Sequence, residues 1–106
     1  MARASTTSDI FNAIAEPRRR EIVEYLAPRA RSVGEIAGAL RLAQPSVSKH
    51  LRVLSDVGLV AARRDGRQVY YQTNVDAVRP VSEWTRRFER YWRQQLRRVK
   101  ARAELR

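Results

Sequence analysis

Gln44-Pro45-Ser46-Val47-Ser48-Lys49-His50-Leu51-Arg52-Val53-Leu54 is the stretch from which the fold can be read. Val47, Leu51 and Leu54 recur at i, i+4 and i+7, which makes one apolar stripe on a helix whose other face is polar and basic. Pro45 suits the first turn, because its missing N–H is one a helix start leaves unpaired anyway, and Gly58 suits a left-handed stop. A helix is therefore expected over 45–57. Just upstream, Ser32-Val33-Gly34-Glu35 reads as a capping box, in which the Ser oxygen and the Glu carboxylate each satisfy an orphan amide. It opens a helix with Ile36, Ala37 and Leu40 on its inner face. Only Arg41-Leu42-Ala43 separates the two, so a tight turn must join them.

Beyond Gly58, the Val- and Tyr-rich runs 59–64 and 68–73 flank Arg64-Asp65-Gly66-Arg67, and Asp-Gly between apolar runs is a strong hairpin signal. A two-stranded ribbon with an arginine-decorated tip is expected. Toward the N-terminus, Ser8 can cap a short helix with Ile10, Phe11 and Ile14 on one stripe; Pro17 ends it and opens the next, whose stripe is Ile22, Val23 and Leu26. From Asp76 the chain reads as helical, with an irregularity near Pro80 before a long segment over 82–103. Trp84, Phe88, Trp92, Leu96, Val99 and Ala103 recur there every three or four residues, with Tyr91 alongside. No later sequence covers that stripe, so part of it is expected to meet a second subunit. Residues 1–7 read as a flexible tail, and 8–106 as a single domain. The fold class is mainly α with a small β-hairpin wing, in the order of a winged helix-turn-helix.

Composition narrows the function. The 106 residues carry 22 Lys and Arg against 11 Asp and Glu, a formal charge of +11, which calls for a polyanionic partner. At 43% hydrophobic the chain can build a core and is no basic disordered tail. With no Cys there is no disulfide framework, thiolate metal site or thiol nucleophile. One His and scattered Ser and Thr assemble no nucleophile–base pair, and no Gly-rich phosphate loop is present, so an enzyme is not expected. Neither a signal peptide nor a membrane span fits the sequence, and the cytoplasm is the expected compartment.

A helix fits the major groove of B-form DNA, and its first turns bring side chains to base edges while phosphate contacts supply affinity. Gln44, Ser46, Ser48, Lys49 and His50 are the candidates for base reading, since Gln pairs with adenine, Lys reaches guanine acceptors and Ser adapts to either. Arg52 and the wing arginines Arg63, Arg64 and Arg67 suit phosphate or the minor groove. Arg18 and Arg19 sit with Arg20 at a helix start, where three cations oppose the macrodipole, and a phosphate would relieve that conflict.

The run from Gln44 to Leu54, followed by Gly58-Leu59-Val60, resembles the recognition helix and wing entry of the ArsR/SmtB family of bacterial repressors. Phe11-Asn12-Ala13-Ile14-Ala15-Glu16-Pro17-Arg18-Arg19-Arg20 resembles that family's early "L-A-(D/E)-P-x-R-R" segment, and Arg67-Gln68-Val69-Tyr70-Tyr71 its wing strand. The likeness spans about residues 8–103. It implies a symmetric dimer, paired through the first and last helices, that represses transcription from a palindromic operator on double-stranded DNA. Phe11, Ile14, Trp84, Phe88, Tyr91, Trp92 and Leu96 would form the seam. Metal-sensing members carry Cys-x-Cys at the third helix or Asp/His ligands on the last. Here Ser32-Val33-Gly34 holds the first place and the last helix has no His, so the resemblance is to the metal-independent branch, with no cofactor or metal and an unknown effector.

Other readings stand beside these. His50 can instead be a structural residue between helix and wing, and Arg18–Arg20 a solvated face paired with Glu21 and Glu24. The wing arginines can serve edge-strand solubility. Most arginines of the last helix read as a solvated outer face. A nucleoid-type architectural protein shares the charge and the dimer but needs no discriminating face on the helix, and a protein-binding adaptor would bind no duplex at all.

Overall fold

A computed structural model describes residues 7–105. The expected tail lies outside them apart from Thr7, which opens α1 (Thr7–Ile14). Helix α2 (Pro17–Tyr25) follows at once, because Pro17 forces Glu16 into an extended conformation, φ −84° and ψ 121°, that no helix can pass through. Then come β1 (Arg31–Ser32), α3 (Val33–Leu40), α4 (Gln44–Asp56), β2 (Val60–Asp65) and β3 (Gln68–Thr73). A 3-10 helix (Val75–Val78), α5 (Arg79–Arg86) and α6 (Glu89–Glu104) complete the chain.

The capping box forms in both directions. The Ser32 hydroxyl accepts from the Glu35 amide and the Glu35 carboxylate accepts from the Ser32 amide, each at 3.2 Å. That second bond, with help from Arg31, holds the Glu35 carboxyl below the ordinary carboxylate range despite some desolvation. The α3–α4 turn closes through Arg41, left-handed at φ 56°, and a Leu42 amide bond to the Ala37 carbonyl at 3.0 Å. The stop at Gly58 is left-handed as expected, φ 81°. Ile22, Leu26, Ile36, Val47, Leu51, Leu54 and Leu59 are the fully buried centre, so the stripes of α2, α3 and α4 converge on one core.

Three expectations need correction. The ribbon is not two-stranded: Arg31 and Ser32, extended as they enter the capping box, pair antiparallel with Tyr71 and Tyr70, giving a sheet of order β1-β3-β2. The hairpin turn is centred one residue later than Asp-Gly suggests. Asp65 pairs with Gln68, so the loop is Gly66-Arg67; Gly66 alone has positive φ (64°), as a type II′ turn requires. Last, the 82–103 segment is two helices. The amides of Arg87 and Phe88 bond three residues back, to Trp84 and Thr85, and the Thr85 hydroxyl donates to the Ser82 carbonyl at 3.0 Å, so the α-ladder is interrupted there.

β3 is tied to the helical core by polar bonds. The buried Thr73 hydroxyl donates to the Val23 carbonyl at 2.6 Å, the Thr73 amide to Leu26 at 3.1 Å, and the Asn74 amide to Leu59 at 2.8 Å. This fixes the wing relative to α2 and the end of α4. The radius of gyration is 18.1 Å, against about 13 Å for a compact chain of this length.

Candidate nucleic-acid interface

Helical periodicity places Pro45, Lys49 and Val53 in one row on α4, opposite the buried Val47, Leu51 and Leu54; all three are exposed. Ser48 and Arg52 flank the row on the side of the wing. With Leu51, Ser55, Asp56, Ala62 and Tyr71 they line an open groove of about 430 Å³ between α4 and the ribbon. Ser46 is half-buried. Gln44 is exposed but leans back: a Cβ on Gly34 would stand 3.9 Å from its side-chain nitrogen, so it lies over the start of α3. His50 is half-buried to the side of the row, and among the described residues neither of its ring nitrogens is both buried and unpaired.

Side chains alternate along a ribbon, which sorts the wing arginines. Arg64, opposite Val69, shares the face of Ala62 and Tyr71 and so continues the wall of the groove beyond α4. Arg63, opposite Tyr70, is on the other face, and Arg67 is in the turn. All three are exposed. Arg52 thus lines the groove and Arg64 stands further out on the same ribbon face, while Arg63 and Arg67 extend the charge around the tip.

The arginines at the start of α2 find partners within the chain. Arg19 donates to the carbonyls of Ala13 and Asn12, and Arg20 to those of Ile14 (2.9 Å) and Ala15 (3.3 Å), while Arg18 pairs with Glu21 at 3.0 Å. The conflict of three cations with the α2 dipole is therefore relieved within the chain, because two guanidinium groups reach the negative end of α1. Phosphate is not needed to explain the cluster.

The seven residues of the expected seam lie on α1, α5 and α6 and, for Phe88, at the junction of α5 and α6. Phe11 meets Trp84 edge to face at 5.7 Å between centroids, Trp84 meets Phe88 at 5.2 Å, and Phe88 stacks on Trp92 at 6.4 Å. Ile14 packs partly on the core. Trp84, Tyr91 and Trp92 keep 48% of their surface exposed, and Leu96 keeps 68%. Among the described residues, no three His, Cys, Asp or Glu side chains gather as metal ligands would, and no helix is long and apolar enough to cross a membrane. Sequence reasoning passed over Val53, although an apolar residue four places beyond Lys49 on the outward row was the signal that could have found it.

A tight helix pair with a bare second helix, followed by a hairpin edged with arginines, defines a winged helix-turn-helix DNA-binding protein. Residues 16–62 match the pattern of the family described as bacterial regulatory protein, arsR family. The chain is 30% identical over 81 residues to the transcriptional repressor SdpR of Bacillus subtilis, spanning 76% of this chain and 90% of SdpR. Of some longer relatives it spans only about half, 53% for a mercury resistance operon repressor of Streptomyces lividans. An ArsR-like transcriptional regulator from Rhodococcus sp. RHA1 superposes with a TM-score of 0.68 at 25% identity, over 92% of both chains. A homodimeric winged helix-turn-helix DNA-binding domain from Mycobacterium bovis, Mb0332, does so with 0.64 at 36% identity, over 68% of both. The chain belongs to the ArsR family. It is a sequence-specific DNA-binding transcriptional regulator, and that membership weighs against a protein that coats DNA by charge alone.

Proposed function

We propose that the chain acts in the cytoplasm, without catalysis of its own, as a homodimeric repressor that closes a palindromic operator. Each α4 enters a major groove, with the two grooves about 34–36 Å apart, and each wing straddles the flanking backbone. Ser46, Ser48 and Lys49 read bases, with Gln44 and His50 at the margins. Arg52 and Arg64 hold the phosphates on either side of the groove, and Arg63 and Arg67 extend that hold from the tip. Phe11, Ile14, Trp84, Phe88, Tyr91, Trp92 and Leu96 supply the dimer seam. The observation that carries this reading is the exposed row of Pro45, Lys49 and Val53 on α4, beside a groove that Ser48 and Arg52 line and that is walled by the ribbon face carrying Arg64. The homodimeric state of the Mycobacterium bovis domain supports the pairing.

The test is selection of duplexes from a random library, followed by gel shifts of the recovered site against competitor DNA. A preference of about a thousandfold or more is expected, with two chains per duplex. Lys49→Ala should lower affinity for the site by roughly ten- to a hundredfold and relax one base position. Arg64→Ala should weaken all sequences alike and flatten the salt dependence. Equal losses on specific and random DNA from Lys49→Ala would overturn the division of roles, and one chain per duplex would overturn the dimer.

A further inference from the structure

We propose that Val53 is a specificity residue that reads the C5 methyl group of a thymine. This rests on α4 entering the major groove and names what its outward row recognises there.

Val53 is 37% exposed, and it is absent from the apolar side chains packed on the core. It belongs neither to the aromatic row of α5 and α6 nor to the wing. Instead it lies with Ser48, Lys49 and Arg52 around a shallow concavity of about 490 Å³ on the outer face of α4. Every other member of that rim is polar or charged, so the exposed part of the isopropyl group is the one apolar surface there. In the major groove only thymine presents a methyl group; the other edges are hydrogen-bonding atoms. Burying that methyl against Val53 removes two apolar surfaces from water at once, whereas a cytosine or purine edge would have its polar atoms dehydrated against a side chain that returns no hydrogen bond. Lys49, one helical turn earlier, supplies the complementary polar reading. The rise between them is about 6 Å, roughly two base pairs of B-form DNA. The sensitive thymine should therefore fall within roughly two base pairs of the position that Lys49→Ala ceases to discriminate.

The experiment uses the full chain and the duplex recovered by selection, with each thymine of one half-site replaced in turn by deoxyuridine. That base lacks only the methyl group and keeps its pairing face. One position should cost the wild-type protein about fourfold in affinity, the value of one buried methyl. Val53→Ala should bind the unmodified duplex about fourfold more weakly and lose no further affinity on replacement at that position. Val53→Ser, which carries a hydroxyl and no methyl group, should be equally insensitive there. Wild-type binding unaffected by every replacement, or a replacement cost identical in all three proteins, would overturn the assignment. Failure of the wild-type protein to select any sequence would instead remove the underlying regulator reading, and this proposal with it.

Discussion

The helix-turn-helix block and the C-terminal pair of helices use the same hydrophobic spacing to opposite ends. In α4 the stripe of Val47, Leu51 and Leu54 is fully enclosed by α2, α3 and β2. In α5 and α6 a stripe of larger side chains at the same period has no buried member. Periodicity reports which residues share a face, and only the neighbouring elements decide whether that face becomes a core or an interface. The first region is complete within one chain, whereas the second is an aromatic row that touches α1 at one end and is open along the rest.

The widest separation between the two regions is expected from Leu54→Ala, which opens a cavity in the closed core. Urea denaturation should register a loss of about 2–5 kcal/mol. A loss below about 1 kcal/mol would mean that α4 is not locked into the core and would erase the contrast. Trp92→Ala tests the open region. Trp92 touches Phe88 but is half exposed, so its removal should barely change unfolding of the single chain. Sedimentation should nevertheless show self-association weakened by about 2 kcal/mol or more, as for a central aromatic anchor. An unchanged dimer would place the seam elsewhere.

The smallest effect belongs to the cap of α3. The Glu35 carboxyl is held below its ordinary value of 4.5 chiefly by the Ser32 amide. In acid the unfolded chain therefore takes up this proton before the folded one does. The stabilisation is complete above the ordinary value and is lost as pH falls through the lowered one. Glu35→Gln should flatten that acid limb in a series of melts and leave neutral-pH DNA binding intact. An acid limb of unchanged steepness would show that the cap does not contribute.

Much of the helix-turn-helix was legible because its signals are local. The Ser32–Glu35 box, the Pro45 start, the Gly58 stop and the stripe of α4 each involve residues within one or two turns of one another. The third strand was not legible, since two residues carry no periodicity and Arg31-Ser32 becomes a strand only because Tyr70 and Tyr71 arrive beside it. The turn shift has a similar origin: once Asp65 is paired with Gln68, only Gly66 is left to take positive φ. The break at Arg87-Phe88 has no Gly or Pro to announce it. At the candidate site the polar face of α4 could be read directly. The reach of Arg19 and Arg20 back to α1 could not, because it depends on how two helices meet at Ala15-Glu16.

The sequence alone determined the order of helices, the identity of the recognition helix and the cationic character of its surroundings. All of these follow from the spacing of apolar residues, from caps and from charge. Tertiary structure alone decided that the ribbon face of Arg64 walls the groove that Arg52 lines, that Arg19 and Arg20 are occupied within the chain, and that Arg31-Ser32 becomes a third strand. Such facts concern residues far apart in the chain or competing neighbours on one face, and these are settled by packing, which no local propensity encodes.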